Sequence, residues 1–78
     1  MVTKEEIREI IAEILELPQE ELGFDTEMDE VSEWDSMRNV MILSSLEEKY
    51  DIMFPEDDIF DLTSIKALTD EINNLIND

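Results

Sequence analysis

An all-α bundle of four helices, three main ones and one short one, with a long first loop, is the fold the sequence predicts. Two observations carry that prediction. Apolar residues recur three and four positions apart in three separate stretches, the spacing of a helix face. One Gly and two Pro among 78 residues are too few for a turn-rich β protein. The length predicts one small domain, residues 1–78, with a thin core.

Thr3-Lys4-Glu5-Glu6 has the capping-box form, with Thr at the cap and Glu three residues on. Ile7, Ile10, Ile11, Ile14 and Leu15 then make one stripe, and Glu5, Glu9, Glu13 and Glu16 fall off it toward water. Pro18 is expected to end this helix at or near Leu17. Residues 18–34 follow as a long acidic connection. Pro18 to Leu22 predicts one short turn, with Pro at its first position and Gly23 after its end. A loop this long in so small a domain is pinned down or functional. Phe24, Met28, Val31 and Trp34 are the expected pins.

The second helix is predicted from about Ser36 to Tyr50, capped by Asp35. Its apolar residues occupy more than one face. Asn39, Leu43, Leu46 and Tyr50 share one side, with Val40 and Ile42 at its margins. Met37, Met41 and Ser44 share another, and Arg38, Ser45 and Lys49 form a polar strip. The methionine side is either the second buried face of a central helix or an open surface for a partner or ligand. After a break from Asp51, Pro55 starts a short acidic turn through Phe60, with Ile59, Phe60 and Leu62 expected in the core. Thr63 is the expected cap of the last helix, whose stripe is Ile65, Leu68, Ile72, Leu75 and Ile76.

Composition narrows function. The chain has no Cys and no His, which removes disulfides, thiolate metal sites and the commonest general base. A self-sufficient enzyme is therefore not expected. With 23 acidic residues against 5 basic ones, the formal net charge is −18. Nucleic acid and anionic membranes would be repelled, while basic protein surfaces would be attracted. No signal peptide or transmembrane run is read, so a cytoplasmic monomer is expected. Asp25, Glu27 and Asp29 alternate as in a calcium loop, but Glu30 stands where the sharp turn needs Gly. No metal site is expected.

The stretch Glu33-Trp34-Asp35-Ser36-Met37 closes the polar connection and opens the most apolar helical run. Taken alone, Asp35-Ser36 reads as a helix cap. In its wider setting Trp34-Asp35-Ser36-Met37 resembles the "D-S-L" attachment motif of acyl carrier proteins, with Met for Leu. Leu46-Glu47-Glu48-Lys49-Tyr50-Asp51-Ile52 is similar to their "L-E-E-x-F-x-I" segment. Phe54-Pro55-Glu56-Asp57-Asp58 resembles their short acidic third helix, and Leu62 to Leu68 the opening of their last. The order and spacing of the four segments carry the resemblance across essentially the whole chain.

The resemblance implies a carrier that is not an enzyme, modified at Ser36 with 4′-phosphopantetheine from coenzyme A, with Asp35 as its neighbour in the motif. It implies as partners a phosphopantetheinyl transferase, a loading ligase or acyltransferase, and biosynthetic enzymes of fatty-acid or polyketide type. Docking falls to Met37, Val40 and Met41, with Glu33, Glu47, Glu48, Glu56 and Asp57 meeting basic patches. Arg38 and Met41 stand where many fatty-acid carriers hold acidic residues, and the motif lacks the "G-G-x-S" of peptidyl carriers. The first point counts against housekeeping fatty-acid synthesis, and Glu33-Trp34-Asp35-Ser36 is more similar to small free-standing carriers of specialised bacterial pathways. The apolar space near Met41, Ile59 and Phe60 would shelter a carried chain. Trp34 is either a loop anchor or a contact for the arm or the transferase. The competing reading is an unmodified acidic helical adaptor for a basic protein partner, with Ser36 only a cap.

Overall fold

In the computed structural model, which describes residues 1–77, three α-helices follow in order: α1 (Lys4–Leu15), α2 (Ser36–Tyr50) and α3 (Ile65–Ile76). Short 3₁₀ turns occupy Gln19–Glu21 and Met28–Glu30, and the expected fourth helix is a 3₁₀ helix, Glu56–Asp61. Among the described residues there is no strand. α1 is the central helix, packed against both α2 and α3. Its stripe is sealed at Ile7, Ile11 and Leu15, against Ile42 and Leu46 of α2 and Ile65, Leu68 and Ile72 of α3. Because α1 takes the central place, only one face of α2 is needed for the core.

Thr3 caps α1, with its Oγ1 accepting the Glu6 N–H at 3.2 Å. The reciprocal half of the box, Glu6 to Thr3, does not form. Glu6 instead stands beside the Tyr50 hydroxyl, and burial first, then this carboxylate, raises the phenol pKa. α1 ends at Leu15, two residues before the expected Leu17, because Glu16 turns into the left-handed region at φ 58°. That turn lets the Leu17 N–H reach the Ala12 carbonyl at 3.0 Å and returns Leu17 to the core. The end of α2 repeats the device: Asp51 has φ 54°, the Ile52 N–H donates to the Glu47 carbonyl, and Ile52 packs inward. In both cases an apolar residue after the cap decides the stop, ahead of any proline.

The long first loop is pinned as its apolar spacing predicts. Trp34 is buried, and Phe24, Met28 and Val31 are partly so. Pro18 stands at the cap of the first 3₁₀ turn, one place earlier than expected. The loop is also stitched to the start of α3. Met28 N–H donates to the Thr63 carbonyl, Lys66 N–H to the Phe24 carbonyl, and the Thr63 hydroxyl to Glu27 Oε1 at 2.6 Å. The Arg8 guanidinium lies 4.6 Å from the Phe24 ring centroid, a cation–π contact that holds the ring against α1.

Three further expectations are corrected. Ser64, not Thr63, caps α3, with its Oγ accepting the Ala67 N–H at 3.1 Å; Thr63 is already committed to Glu27. Phe60 is not a core residue: it is 88% exposed, while Leu62 is buried and Ile59 partly so. The tight 3₁₀ rise turns Phe60 outward as Ile59 and Leu62 turn in. Ile42 is fully buried rather than marginal, and Val40 is exposed.

Candidate functional site

Ser36 is the first residue of α2 and lies exposed. Its position follows from the cap before it. Asp35 has extended backbone, and its Oδ1 accepts the Arg38 N–H at 2.9 Å. The Asp35 carbonyl takes the Asn39 N–H, the first rung of the helix. The N–H groups of Ser36 and Met37 find no partner among the described residues. Two free donors therefore stand beside the Ser36 hydroxyl at the positive end of a fifteen-residue helix. Such an end favours an anion.

The start of α2 is held from below. Arg38 Nη1 donates to the Ile14 carbonyl at 3.2 Å, near the C-terminal end of α1, where a cation also suits the helix dipole. Arg38 thus ties two helices and is more than a member of a polar strip. Trp34 is 2% exposed and donates from Nε1 to Asn39 Oδ1 at 2.9 Å. Trp34 is therefore a buried anchor for the residues before the serine, closed off from direct contact with a partner.

Met37 is 74% exposed and Val40 61%, and Met41 is also exposed. The methionine face is thus open, and α2 is not buried on two sides. Glu33, Glu48, Glu56 and Asp57 are exposed as well. Glu48 lies about 18 Å from Ser36 along the helix axis, so it borders a long surface rather than the serine itself. Glu47 is only half exposed, and its Oε2 accepts the Phe54 N–H at 2.8 Å. That carboxylate fixes the chain leaving α2.

A cleft of about 250 Å³ opens beside Ser36. Val40 and Asn39 form its α2 wall, Ile59 and Phe60 the 3₁₀ wall, and Met28 reaches in from the loop. Met41, expected here, does not line it. Asn39 and Met28 were missed by sequence reasoning. The available signal was a polar residue on the apolar side of α2. Glu71 of α3 lies beside Asp58 of the 3₁₀ helix. Sharing a hydrogen bond with Asp58, and then burial and the Asp58 charge, raise the Glu71 pKa.

Among the described residues no helix is long and apolar enough to cross a membrane. The family profile described as "phosphopantetheine attachment site" matches residues 5–72. A solution NMR structure of a holo acyl carrier protein from Geobacter metallireducens superposes with a TM-score of 0.85 at 22% sequence identity. The match covers 99% of this chain and 88% of that one. At that identity the likeness speaks for the fold.

Proposed function

The chain belongs to the phosphopantetheine-attachment family, and from that membership we propose that Ser36 bears the prosthetic group. The family is one of carriers, not catalysts. Its prosthetic group is 4′-phosphopantetheine, and the chain is a substrate for a phosphopantetheinyl transferase. One observation supports Ser36 above all: an exposed hydroxyl on the first turn of α2, beside the unpaired N–H groups of Ser36 and Met37.

These residues fit a phosphodiester. The two N–H donors and the helix dipole favour its negative charge, and Asp35 holds the helix start in place by occupying the third donor. When attached, the group supplies a terminal thiol that holds a carried acyl chain as a thioester. The carrier needs no general base of its own, because the transferase supplies the chemistry. The absence of His and Cys is thus consistent with the role.

Residues 1–78 act as one carrier domain, monomeric and cytoplasmic. Met37, Val40 and Met41 form the apolar centre of the docking surface. Glu33, Glu48, Glu56 and Asp57 surround it and meet Lys and Arg on successive enzymes: the transferase, a loading ligase or acyltransferase, and the enzymes of a specialised pathway. Such contacts steer encounter yet release readily in salt. Glu47 joins these carboxylates while also serving the fold through its bond to the Phe54 N–H. The cleft between α2 and the 3₁₀ helix shelters part of the carried chain.

The test is an intact-mass measurement after incubation with coenzyme A and broad-specificity phosphopantetheinyl transferases. A gain of one phosphopantetheine is expected, absent in Ser36→Ala. An unshifted mass with several transferases would favour the unmodified adaptor instead.

A further inference from the structure

The cleft beside Ser36 holds one polar group that neither the fold nor the attachment chemistry fully employs. Asn39 lies one helical turn after Ser36 and is 7% exposed. Its Oδ1 accepts from the indole of Trp34. An indole nitrogen only donates, so the Asn39 amide must present its oxygen to Trp34 and direct its NH₂ elsewhere. Nδ2 makes no hydrogen bond to a described residue. It is not sealed in the core, because the fully enclosed unpartnered side-chain atoms among the described residues are Arg8 Nε and Tyr50 Oη. Asn39 lines the cleft, which is the opening next to this amide.

The surroundings give the donors meaning. Met28, Val40, Ile59 and Phe60 are apolar walls. Ser36 and Thr63 are the other polar residues of the lining; Ser36 is the attachment residue, and the Thr63 hydroxyl proton is given to Glu27. A plain alkyl chain filling this space would cover two N–H donors and offer them nothing, an unfavourable exchange. A chain with an acceptor oxygen at that depth would satisfy them.

We propose that Asn39, oriented by Trp34, is a specificity-determining hydrogen-bond donor that takes a carbonyl or hydroxyl oxygen of the tethered arm or its carried chain. The proposal rests on Ser36 being the attachment residue. Two sources could supply the oxygen, an amide carbonyl of the pantetheine arm or an oxygen close to the thioester on the cargo. Either way the cleft is matched to an oxygen-bearing segment rather than to hydrocarbon alone.

The experiment uses ¹⁵N-labelled full-length protein in four forms: unmodified, phosphopantetheinylated, octanoyl-loaded and 3-oxooctanoyl-loaded, each verified by mass. The Asn39 side-chain NH₂ resonances are expected to shift. A shift on phosphopantetheinylation alone assigns the acceptor to the arm; a shift confined to the 3-oxo form assigns it to the cargo. An Asn39 amide unmoved in every modified form overturns the proposal while leaving the attachment reading intact. A protein that gains no mass overturns both.

Asn39→Asp supplies the second measurement, since an aspartate carboxylate still accepts from Trp34 but has no N–H to give. Cleavage of the 3-oxooctanoyl thioester by hydroxylamine should then run about three- to ten-fold faster, the worth of one hydrogen bond. If the arm is the partner, the octanoyl thioester accelerates with it. Equal rates in parent and variant for both thioesters overturn the proposal.

Discussion

The α1–α3 side of the molecule and the edge formed by α2 with the 3₁₀ helix use similar residues to opposite ends. On the first side, Ile7, Ile11, Ile65, Leu68 and Ile72 are all fully buried. On the second, α2 contributes Ile42 and Leu46 to the core yet leaves Met37, Val40 and Met41 in water, and Phe60 faces out across the cleft. Apolar area removed from water stabilises by roughly 25 cal/mol per Å². The closed side therefore supplies much of the stability. The open edge retains apolar area that only a partner or a carried chain can cover. The serine sits on the open edge, and the residues that hold its helix in place reach back to the closed side, through Arg38 to Ile14 and through Trp34 to the core.

The sharpest test of this division is truncation on the closed side. Leu68→Ala should cost about 2–5 kcal/mol in urea unfolding, a large share of the ~5–15 kcal/mol typical of a domain. A loss below about 1 kcal/mol would mean that the core is not where the structure places it. Next in size is the α3 cap: Ser64→Ala should cost ~1 kcal/mol, and no loss would return the cap to Thr63. Of similar size and opposite sign is Glu16→Gly. It relieves a left-handed backbone at a non-glycine residue and should add about 0.5–1 kcal/mol.

A smaller effect concerns Glu71 and Asp58, which join the 3₁₀ helix to α3. The folded state holds the Glu71 proton more tightly than the unfolded chain. This contribution to stability is present in full below the ordinary glutamate value and is lost as pH rises through the raised one. Glu71→Gln should therefore raise the urea midpoint at pH 7, with the gain vanishing below about pH 4. A gain that persists in acid would assign it to something other than this pair. Least of all should be the open edge. Met41→Ser is expected to move stability by less than about 0.5 kcal/mol while weakening engagement by the transferase, read as a raised KM. A large loss of stability would show that Met41 belongs to the core after all.

Much of the bundle was legible because helical periodicity is local. The stripes of α1 and α3, the bounds of α2 and the four loop pins needed only spacing and turn chemistry to find. Helix stops were less legible, since Glu16 and Asp51 turn left-handed so that Leu17 and Ile52 can pack, a consequence of tertiary contact. The site divided in the same way. Ser36 stood out by its place before an apolar helix and by the family resemblance. The Trp34–Asn39 bond joins residues five apart whose meeting depends on how the chain enters α2, which no spacing rule supplies.

By itself the sequence determined three helical stripes, an acidic surface and a capped serine at the start of α2, because period, charge and capping chemistry are properties of neighbouring residues. The tertiary structure decided which helix is central and which apolar side chains remain uncovered. With α1 packed against both partners, α2 was left one face too many, and Phe60 was turned out beside it. Burial is settled by what lies opposite a residue, and what lies opposite is fixed only when the helices pack.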